Sequence, residues 1–182
     1  MRKCRDLKFD RATIIFLFWA VSLLLAVLYV SSSKLKQFDP NNQLHQAALE
    51  TRFDKLFLTQ LQTVEANLVN TVFHFRTDNC FCQTVAQGHI DSVEKLAERQ
   101  TFRNIQINLS ANPELKRSIP SVPAVAVVDE EGRLSYLGPY SSGMFCTQGN
   151  GLVEPFIKKM QGQNLGATVI SQSQGCYCAL ST

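Results

Sequence analysis

The sequence lacks the motifs of several large enzyme classes. It contains no G-x-S-x-G turn of serine hydrolases, no glycine-rich loop for phosphate and no H-E-x-x-H zinc motif. A Cys-x2-Cys-His motif is also missing, which excludes ordinary attachment of a c-type haem. No internal repeat or low-complexity tract is present. The residues that remain as candidates for chemistry are the cysteines.

The chain after residue 11 also lacks any excess of positive or negative charge. Residues 1–11 hold five basic and two acidic side chains, whereas the rest of the chain holds 13 of each. The formal net charge of +3 therefore belongs to the N-terminus. A surface that binds nucleic acid needs basic side chains against the phosphates. Nucleic acid is therefore not an expected partner.

Charged residues are absent from residues 13–30, TIIFLFWAVSLLLAVLYV. A helix of about 18 residues crosses most of a hydrocarbon core of roughly 30 Å. Basic residues precede this run, and only Lys34 and Lys36 follow closely, so the positive-inside rule places the N-terminus in the cytoplasm. A cleaved signal peptide is the alternative, although its apolar core is shorter and Leu28-Tyr29-Val30 is a poor cleavage site. We expect an uncleaved anchor that crosses the lipid bilayer through residues 13–30.

The pattern of the whole chain predicts five segments. They are a cytoplasmic tail (1–11), a transmembrane anchor (12–30), a juxtamembrane spacer with an amphipathic helix (31–67), an α/β domain (68–161) and a C-terminal extension (162–182). Apolar residues recur at helical spacing within 42–63 and predict one amphipathic helix. We expect this helix to pack on the domain, and dimerisation is the alternative.

Strand and helix patterns alternate after residue 67. Strands are predicted at 68–75, 105–109, 124–128, 133–138 and 167–170, and helices at 82–100, from 113, and at 152–160. Asp129 to Gly132 reads as a solvated hairpin turn between two of the strands. A strand–helix–strand unit followed by a hairpin predicts a sheet that helices cover on both sides.

Cys80 and Cys82 stand where a predicted strand leads into a predicted helix. The N-terminus of a helix favours a thiolate, which is the attacking species in disulfide exchange. We expect Cys80 to be the attacking thiol and Cys82 the resolving one, because Cys80 is nearer the loop and so more exposed. A disulfide between them would close a very small ring, which indicates a readily reduced pair.

Six cysteines are present, and five of them follow the anchor. An oxidising compartment pairs thiols, and an odd number leaves one free, metal-bound or transiently paired. Cys80 and Cys82 could instead bond structurally to Cys146 or to the terminal pair, Cys176 and Cys178. The terminal pair either fastens the chain end or serves as a second dithiol.

Metal binding is an open alternative, because thiolate-rich sites suit Cu(I) or Zn. No other cofactor is expected. The candidate ligands are Cys80, Cys82, Cys146, Cys176 and Cys178, with Met144 and His89 as additional donors. The histidines more simply have other roles: His89 is expected to face solvent or to be capped, and His74 to be a core or edge residue of its strand.

Residues 68–160 resemble the thioredoxin-like superfamily. The cysteines sit where the first strand feeds a helix, Val122-Pro123 precedes the buried strand, and the hairpin VVDEEGRLSYLGPY ends in glycine before the last helix. The series CFC, GPYSSGMFC and GCYC is similar to a group of membrane-anchored bacterial thioredoxin-like proteins with a C-x-C motif. The resemblance implies a thioredoxin-like sheet flanked by helices and a cis bond before Pro123. An ordinary trans proline is the alternative.

The same resemblance implies a site made of Cys80, Cys82, Pro123 and Cys146. It implies a thiol–disulfide oxidoreductase or isomerase in the bacterial inner membrane, with its C-terminal domain in the periplasm. The expected partners are periplasmic protein thiols or disulfides, together with a membrane redox partner. A periplasmic copper- or zinc-binding protein and a non-catalytic, disulfide-stapled interaction domain are the alternatives.

Overall fold

The structure is a computed structural model that describes residues 10–33, 35–143, 151–159 and 166–180. The chain divides into two compact units, Met1–Lys34 and Leu35–Thr182. The first unit contains helix α1, Arg11–Ser33. Its stretch Arg11–Tyr29 has a mean hydropathy of 2.4, and none of it is buried. The helix is therefore long and apolar enough to span a membrane, as expected for a single-pass anchor.

The second unit is a mixed α/β structure. Its strands are β1 (Lys36–Gln37), β2 (Thr71–Arg76), β3 (Arg103–Asn108), β4 (Ser121–Val122), β5 (Ala124–Val128), β6 (Leu134–Gly138), β7 (Thr168–Val169), β8 (Gln174–Gly175) and β9 (Cys178–Ala179). Its helices are α2 (Gln43–Ala48), α3 (Phe53–Gln62), α4 (Phe81–Arg99) and α5 (Glu154–Lys159), with a short 3₁₀ helix at Pro113–Arg117. The predicted order of strands and helices after residue 67 is thus present.

The central sheet has five strands in the order β3-β2-β5-β6-β7. Strands β2 and β3 are parallel, because helix α4 carries the chain back between them. Strand β5 runs antiparallel to both β2 and β6, and β7 is parallel to β6. The sheet is therefore mixed, and its central strand β5 is wholly buried, as its uninterrupted apolar sequence predicts.

Two apolar clusters cover the two faces of this sheet. Phe73 and Phe75 of β2 contribute to the cluster that contains the buried side chains of α2 and α3. Val72, from the same strand, contributes to the cluster that contains the buried side chains of α4 and α5. Because successive side chains of a strand point to opposite faces, helices pack on both sides of the sheet. This arrangement agrees with the predicted layering.

The segment predicted as one helix at 42–63 is two helices. Leu44 and Phe53 are both buried in the same cluster, although they lie nine positions apart. In one continuous helix, nine residues correspond to about two and a half turns, so the two side chains would point in opposite directions. The turn between α2 and α3 brings both into the core. Leu49, within that turn, is 74% exposed.

The acidic hairpin turn is less solvated than predicted. Asp129 is buried, and its Oδ1 accepts hydrogen bonds from the backbone N–H groups of Glu131 and Arg133. Its Oδ2 accepts a further hydrogen bond from Nε of Arg133 at 2.9 Å. Gly132 completes the turn with a φ of +75°, a conformation that favours glycine. Asp129 therefore fixes the connection between β5 and β6.

Candidate functional site: two disulfides at the start of a helix

The turn between β2 and α4 places Cys80 at the start of the helix. Asn79 has a φ of +59°, which reverses the chain direction before the helix begins. Asp78 accepts a hydrogen bond from the side-chain amide of Asn108 at 3.0 Å, which ties the turn to the end of β3. Cys80 is the N-cap residue, and Cys82 lies in the first turn of the 19-residue helix α4. The predicted location of both cysteines is confirmed.

Each of these cysteines is bonded to a cysteine near the C-terminus. Cys80 is joined to Cys178 with a Cα–Cα distance of 5.9 Å, and Cys82 is joined to Cys176 with a Cα–Cα distance of 5.3 Å. The two C-x-C motifs therefore face each other in antiparallel order. In this oxidised form Cys80 and Cys82 are not bonded to each other, and Cys82 offers no free thiol for a resolving step.

The exposure of the two helix cysteines differs from the sequence-based expectation. Cys80 is 7% exposed and Cys82 is 9% exposed, so Cys80 is not the more accessible of the two. Their bonding partners, Cys176 and Cys178, are only partly buried. Between Cys80 and Cys82, the ring of Phe81 is 74% exposed. In each disulfide, the C-terminal cysteine is therefore the less buried partner.

Tyr177, between the two C-terminal cysteines, anchors this part of the chain. Its ring is buried and lies edge-on to Phe38, with ring centroids 5.2 Å apart. Its hydroxyl donates a hydrogen bond to the carbonyl oxygen of Ser141 at 2.6 Å and is 2.8 Å from the hydroxyl of Ser173. Upstream, β8 pairs with β1. The chain is therefore held firmly up to Tyr177.

The residues after Tyr177 form a two-residue strand beside Pro123. Strand β9 pairs antiparallel with β4, and Cys178 lies opposite Val122. The backbone N–H of Leu180 donates to the carbonyl oxygen of Pro120 at 2.9 Å. The Val122-Pro123 peptide bond is cis, as predicted. The sulfur of Cys80 lies 3.8 Å from the carbonyl oxygen of Val122, so Cys80, Cys178 and the cis-proline form one site.

Cys146 and Met144 lie outside the described residues, so their predicted contribution to this site stays a prediction. Among the residues that the structure describes, no group of three or more His, Cys, Asp and Glu side chains has a geometry for a metal ion. Four of the five candidate sulfur ligands are in disulfides here. A sulfur in a disulfide is not a thiolate, which is the form of cysteine that binds metals.

A second polar cluster lies in the interior, on the α4 side of the sheet. Nε2 of His89 is 2.7 Å from Oε1 of Glu154, and both side chains are almost fully buried. Nδ1 of His74 is 2.5 Å from the hydroxyl of Tyr140, whose ring also contacts the ring of His89. Solvent exposure of His89 is therefore wrong, and the alternative holds, because Glu154 caps Nε2 of its ring; the core position of His74 is confirmed.

Burial and hydrogen bonding act on the ionisable groups of this cluster. Burial lowers the pKa of His74, although its hydrogen bond with Asn104 and the charge of Glu94 oppose the shift. Burial alone would raise the pKa of Glu154, but the bond with His89 and backbone N–H donors outweigh it and lower that pKa. Glu154 is therefore held ionised next to His89. The sequence offered no signal for this pairing, because the two residues are 65 positions apart.

Comparison with protein families adds one match. Residues 49–180 match the family model described as Domain of unknown function (DUF6436), which is well over half of the chain. The chain belongs to the DUF6436 family. The matched region contains α3, the five-stranded sheet and both C-x-C motifs, and it leaves out the apolar helix α1. Comparisons with curated proteins and with solved structures find no significant match.

Proposed function

We propose that this protein is a membrane-anchored thiol–disulfide oxidoreductase of thioredoxin-like fold that donates disulfides to protein thiols. The observation that carries the proposal is the disulfide between Cys80, at the N-terminus of α4, and Cys178, on the terminal strand beside cis-Pro123. Helix α1 would hold the protein in the bacterial inner membrane, with the disulfides in the periplasm.

Two features favour exchange at the Cys80–Cys178 disulfide. Cys178 is less buried than Cys80, which favours the attack of an incoming thiolate at Cys178. Cys80 caps a helix of 19 residues, whose unpaired N–H groups stabilise a thiolate leaving from it. A better leaving group accelerates exchange. The Cys82–Cys176 disulfide, by contrast, joins α4 to the chain between the paired strand β8 and the anchored Tyr177, and we assign it to holding that segment.

The reaction consists of two exchanges with a substrate that carries two thiols. A substrate thiolate attacks Sγ of Cys178, so that a substrate–Cys178 bond forms and Cys80 leaves as a thiolate. The second substrate thiolate then attacks the substrate sulfur of this mixed disulfide and displaces Cys178. The substrate loses two electrons and two protons and gains a disulfide, and Cys80 and Cys178 become thiols. A disulfide-bearing redox partner in the membrane would restore them: Cys80, as a thiolate, attacks the partner's disulfide and displaces one partner thiolate, and Cys178, as a thiolate, then attacks Sγ of Cys80 and displaces the other.

The test uses two double variants that each keep one disulfide. The full chain in detergent is oxidised and mixed with a reduced peptide that carries two cysteines. The rate of disulfide formation in the peptide is measured and compared with the rate at which thiols appear in the protein. In Cys80→Ser/Cys178→Ser, the rate of single-turnover peptide oxidation is expected to fall at least about a hundredfold. The reason is that this variant lacks both the sulfur that is attacked and its leaving group. Cys82→Ser/Cys176→Ser is expected to keep the wild-type rate.

Equal rates in the two variants would contradict the assignment of roles. An inert wild-type protein, with both disulfides intact after incubation with the reduced peptide, would contradict the function itself and favour a stapled interaction domain. Copper or zinc that co-purifies on reduced cysteines, and is lost with chelator, would favour the metal-binding alternative.

A further inference from the structure

Strand β9 occupies the free edge of β4, next to the proposed reactive disulfide. Ser121 and Val122 of β4 are fully buried, and their partners in the pairing are Ala179 and Cys178. An unpaired strand edge is a template for another extended chain, because its N–H and C=O groups need partners. The C-terminal strand supplies those partners from within the same molecule.

The attachment of β9 differs sharply from that of the segment before it. Upstream, the ring of Tyr177 is buried, and β8 pairs with β1. Downstream of Tyr177, Ala179 is exposed, and Cys178 and Leu180 are only partly buried. Apart from the Cys80–Cys178 disulfide, backbone pairing with β4 and the contact of Leu180 with the core hold this short strand. It is thus the part of the tail that only one covalent cross-link, the Cys80–Cys178 disulfide, attaches to the domain.

We infer that β9 is an internal occupant of a docking edge for extended polypeptide, and that the Cys80–Cys178 disulfide is the latch that keeps it there. Opening this one disulfide releases β9 from Cys178 onward, while Tyr177 and the Cys82–Cys176 disulfide retain the rest of the tail. The vacated edge of β4 then lies beside the sulfur of Cys80.

The occupant that fits this edge is an extended, cysteine-containing segment of another polypeptide. Cys178 shows the geometry that such a segment would adopt: its backbone lies opposite Val122 while its sulfur is bonded to Cys80. The addition of a strand to a sheet edge obtains its affinity from main-chain hydrogen bonds. This inference rests on the proposed function: exchange at Cys178 opens the latch, and the docked segment belongs to the redox partner whose disulfide Cys80 then attacks.

Hydrogen exchange of backbone amides tests the release directly. The full chain in detergent is compared as two oxidised variants: Cys80→Ser/Cys178→Ser, which lacks the latch, and Cys82→Ser/Cys176→Ser, which keeps it. Exchange of the Leu180 amide is expected to be at least about tenfold faster without the latch, since a two-residue strand held by backbone pairing and partly buried side chains opens readily. The amides of β5 should stay protected in both variants and report an intact fold.

Equal protection of Leu180 in the two variants would overturn the inference. The same measurement on the wild-type chain before and after full reduction covers the case in which a variant does not fold. Release is again expected at Cys178–Leu180, with β5 protected, and continued protection of Leu180 in the reduced chain would overturn the latch. Neither result depends on turnover, so failure of the latch and failure of the proposed function are distinguishable.

Two short peptides test the docking edge. In Cys178→Ser, Cys80 is free, and the activated disulfide of Gly-Cys-Ala-Leu should form a mixed disulfide with it. The matched peptide Gly-Cys-Ala-Pro lacks the N–H that corresponds to Leu180, which donates to Pro120. We expect it to react about threefold to tenfold more slowly, the value of one net hydrogen bond. Equal rates would show that no strand forms on β4.

Discussion

Cys80 and Cys178 are joined by a disulfide whose loop encloses the second disulfide. The outer bond spans 98 positions of sequence, and the inner bond, from Cys82 to Cys176, spans 94. Each motif has one residue between its cysteines, Phe81 in the first and Tyr177 in the second. The two bonds therefore act on nearly the same loop, and this nesting has consequences for both stability and mapping.

The nesting predicts that removing the first disulfide, whichever it is, lowers the free energy of unfolding less than removing the second one afterwards. In the chain-entropy account, one disulfide across a loop of about 100 residues is worth about 5 kcal/mol. A second disulfide then closes only a ring of about six residues, worth about 2 kcal/mol. Replacing either pair by serine should lower the free energy of unfolding by about 2 kcal/mol, and replacing both pairs by about 7 kcal/mol.

Denaturant unfolding of the full chain in detergent measures these differences. The two double variants are controls for each other, because their loops are nearly equal in length. Additive losses, with each double variant costing half of the quadruple variant, would contradict the nested loop and indicate independent cross-links.

The connectivity itself is open to a chemical map. Chymotrypsin cleaves after aromatic residues, and Phe81 and Tyr177 separate the cysteines within each motif. After the free thiols are alkylated and the protein is denatured, digestion should yield one linked pair of peptides with Cys80 and Cys178. The second pair should contain Cys82 and Cys176. A peptide with an internal Cys80–Cys82 bond, which requires missed cleavage at Phe81, would contradict the structure.

The buried pair of His89 and Glu154 predicts loss of stability in acid. The pKa of Glu154 is lowered from its ordinary 4.5, so its contribution is complete above that pH and declines as the pH falls through the lowered pKa. Glu154→Gln should reduce the free energy of unfolding at pH 7 by roughly 1.5–3 kcal/mol, the value of a hydrogen bond to a charged group. The variant should also lose less stability than the wild type between pH 5 and pH 3, about the range in which carboxylates titrate.

A surface ion pair provides the control for this substitution. Oε1 of Glu65 lies 3.4 Å from Nη1 of Arg103, and both side chains are partly exposed. Glu65→Gln should therefore change the free energy of unfolding by less than about 1 kcal/mol. Equal effects of the two substitutions in urea unfolding at pH 7 would show that the interior pair contributes no more than a surface one.

Gly151 and Gly88 are predicted to respond to alanine in opposite directions. A Cβ at Gly151 would lie 2.6 Å from Cε1 of His89 and would collide with the carboxylate of Glu154. Gly151→Ala should cost roughly 1–3 kcal/mol, the range for overpacking. A Cβ at Gly88, within α4, would meet no atom within 4 Å. Gly88→Ala should raise the free energy of unfolding by up to about 1 kcal/mol through helix propensity. Thermal unfolding of both variants checks the signs.

Local features of this protein followed from the sequence because they depend on neighbouring residues. The charge-free run ahead of residue 31 predicts the apolar helix, and the apolar run Ala124 to Val128 predicts the buried strand at its observed bounds. The recurrence of apolar residues every three or four positions likewise predicts α4, with Cys80 at its start. In each case, the periodicity of the backbone relates a short pattern directly to a structure.

Contacts between distant residues were decided only by the tertiary structure. The sequence left Cys80 and Cys82 with several bonding partners, because residues nearly 100 positions apart meet only once the sheet and the tail are in place. The same reason applies to the burial of His89 against Glu154 and to the pairing of β9 with β4. The sequence by itself determined that two cysteines stand at a helix start. The pairing of the tail with β4, which directly precedes cis-Pro123, decided which sulfurs they bond.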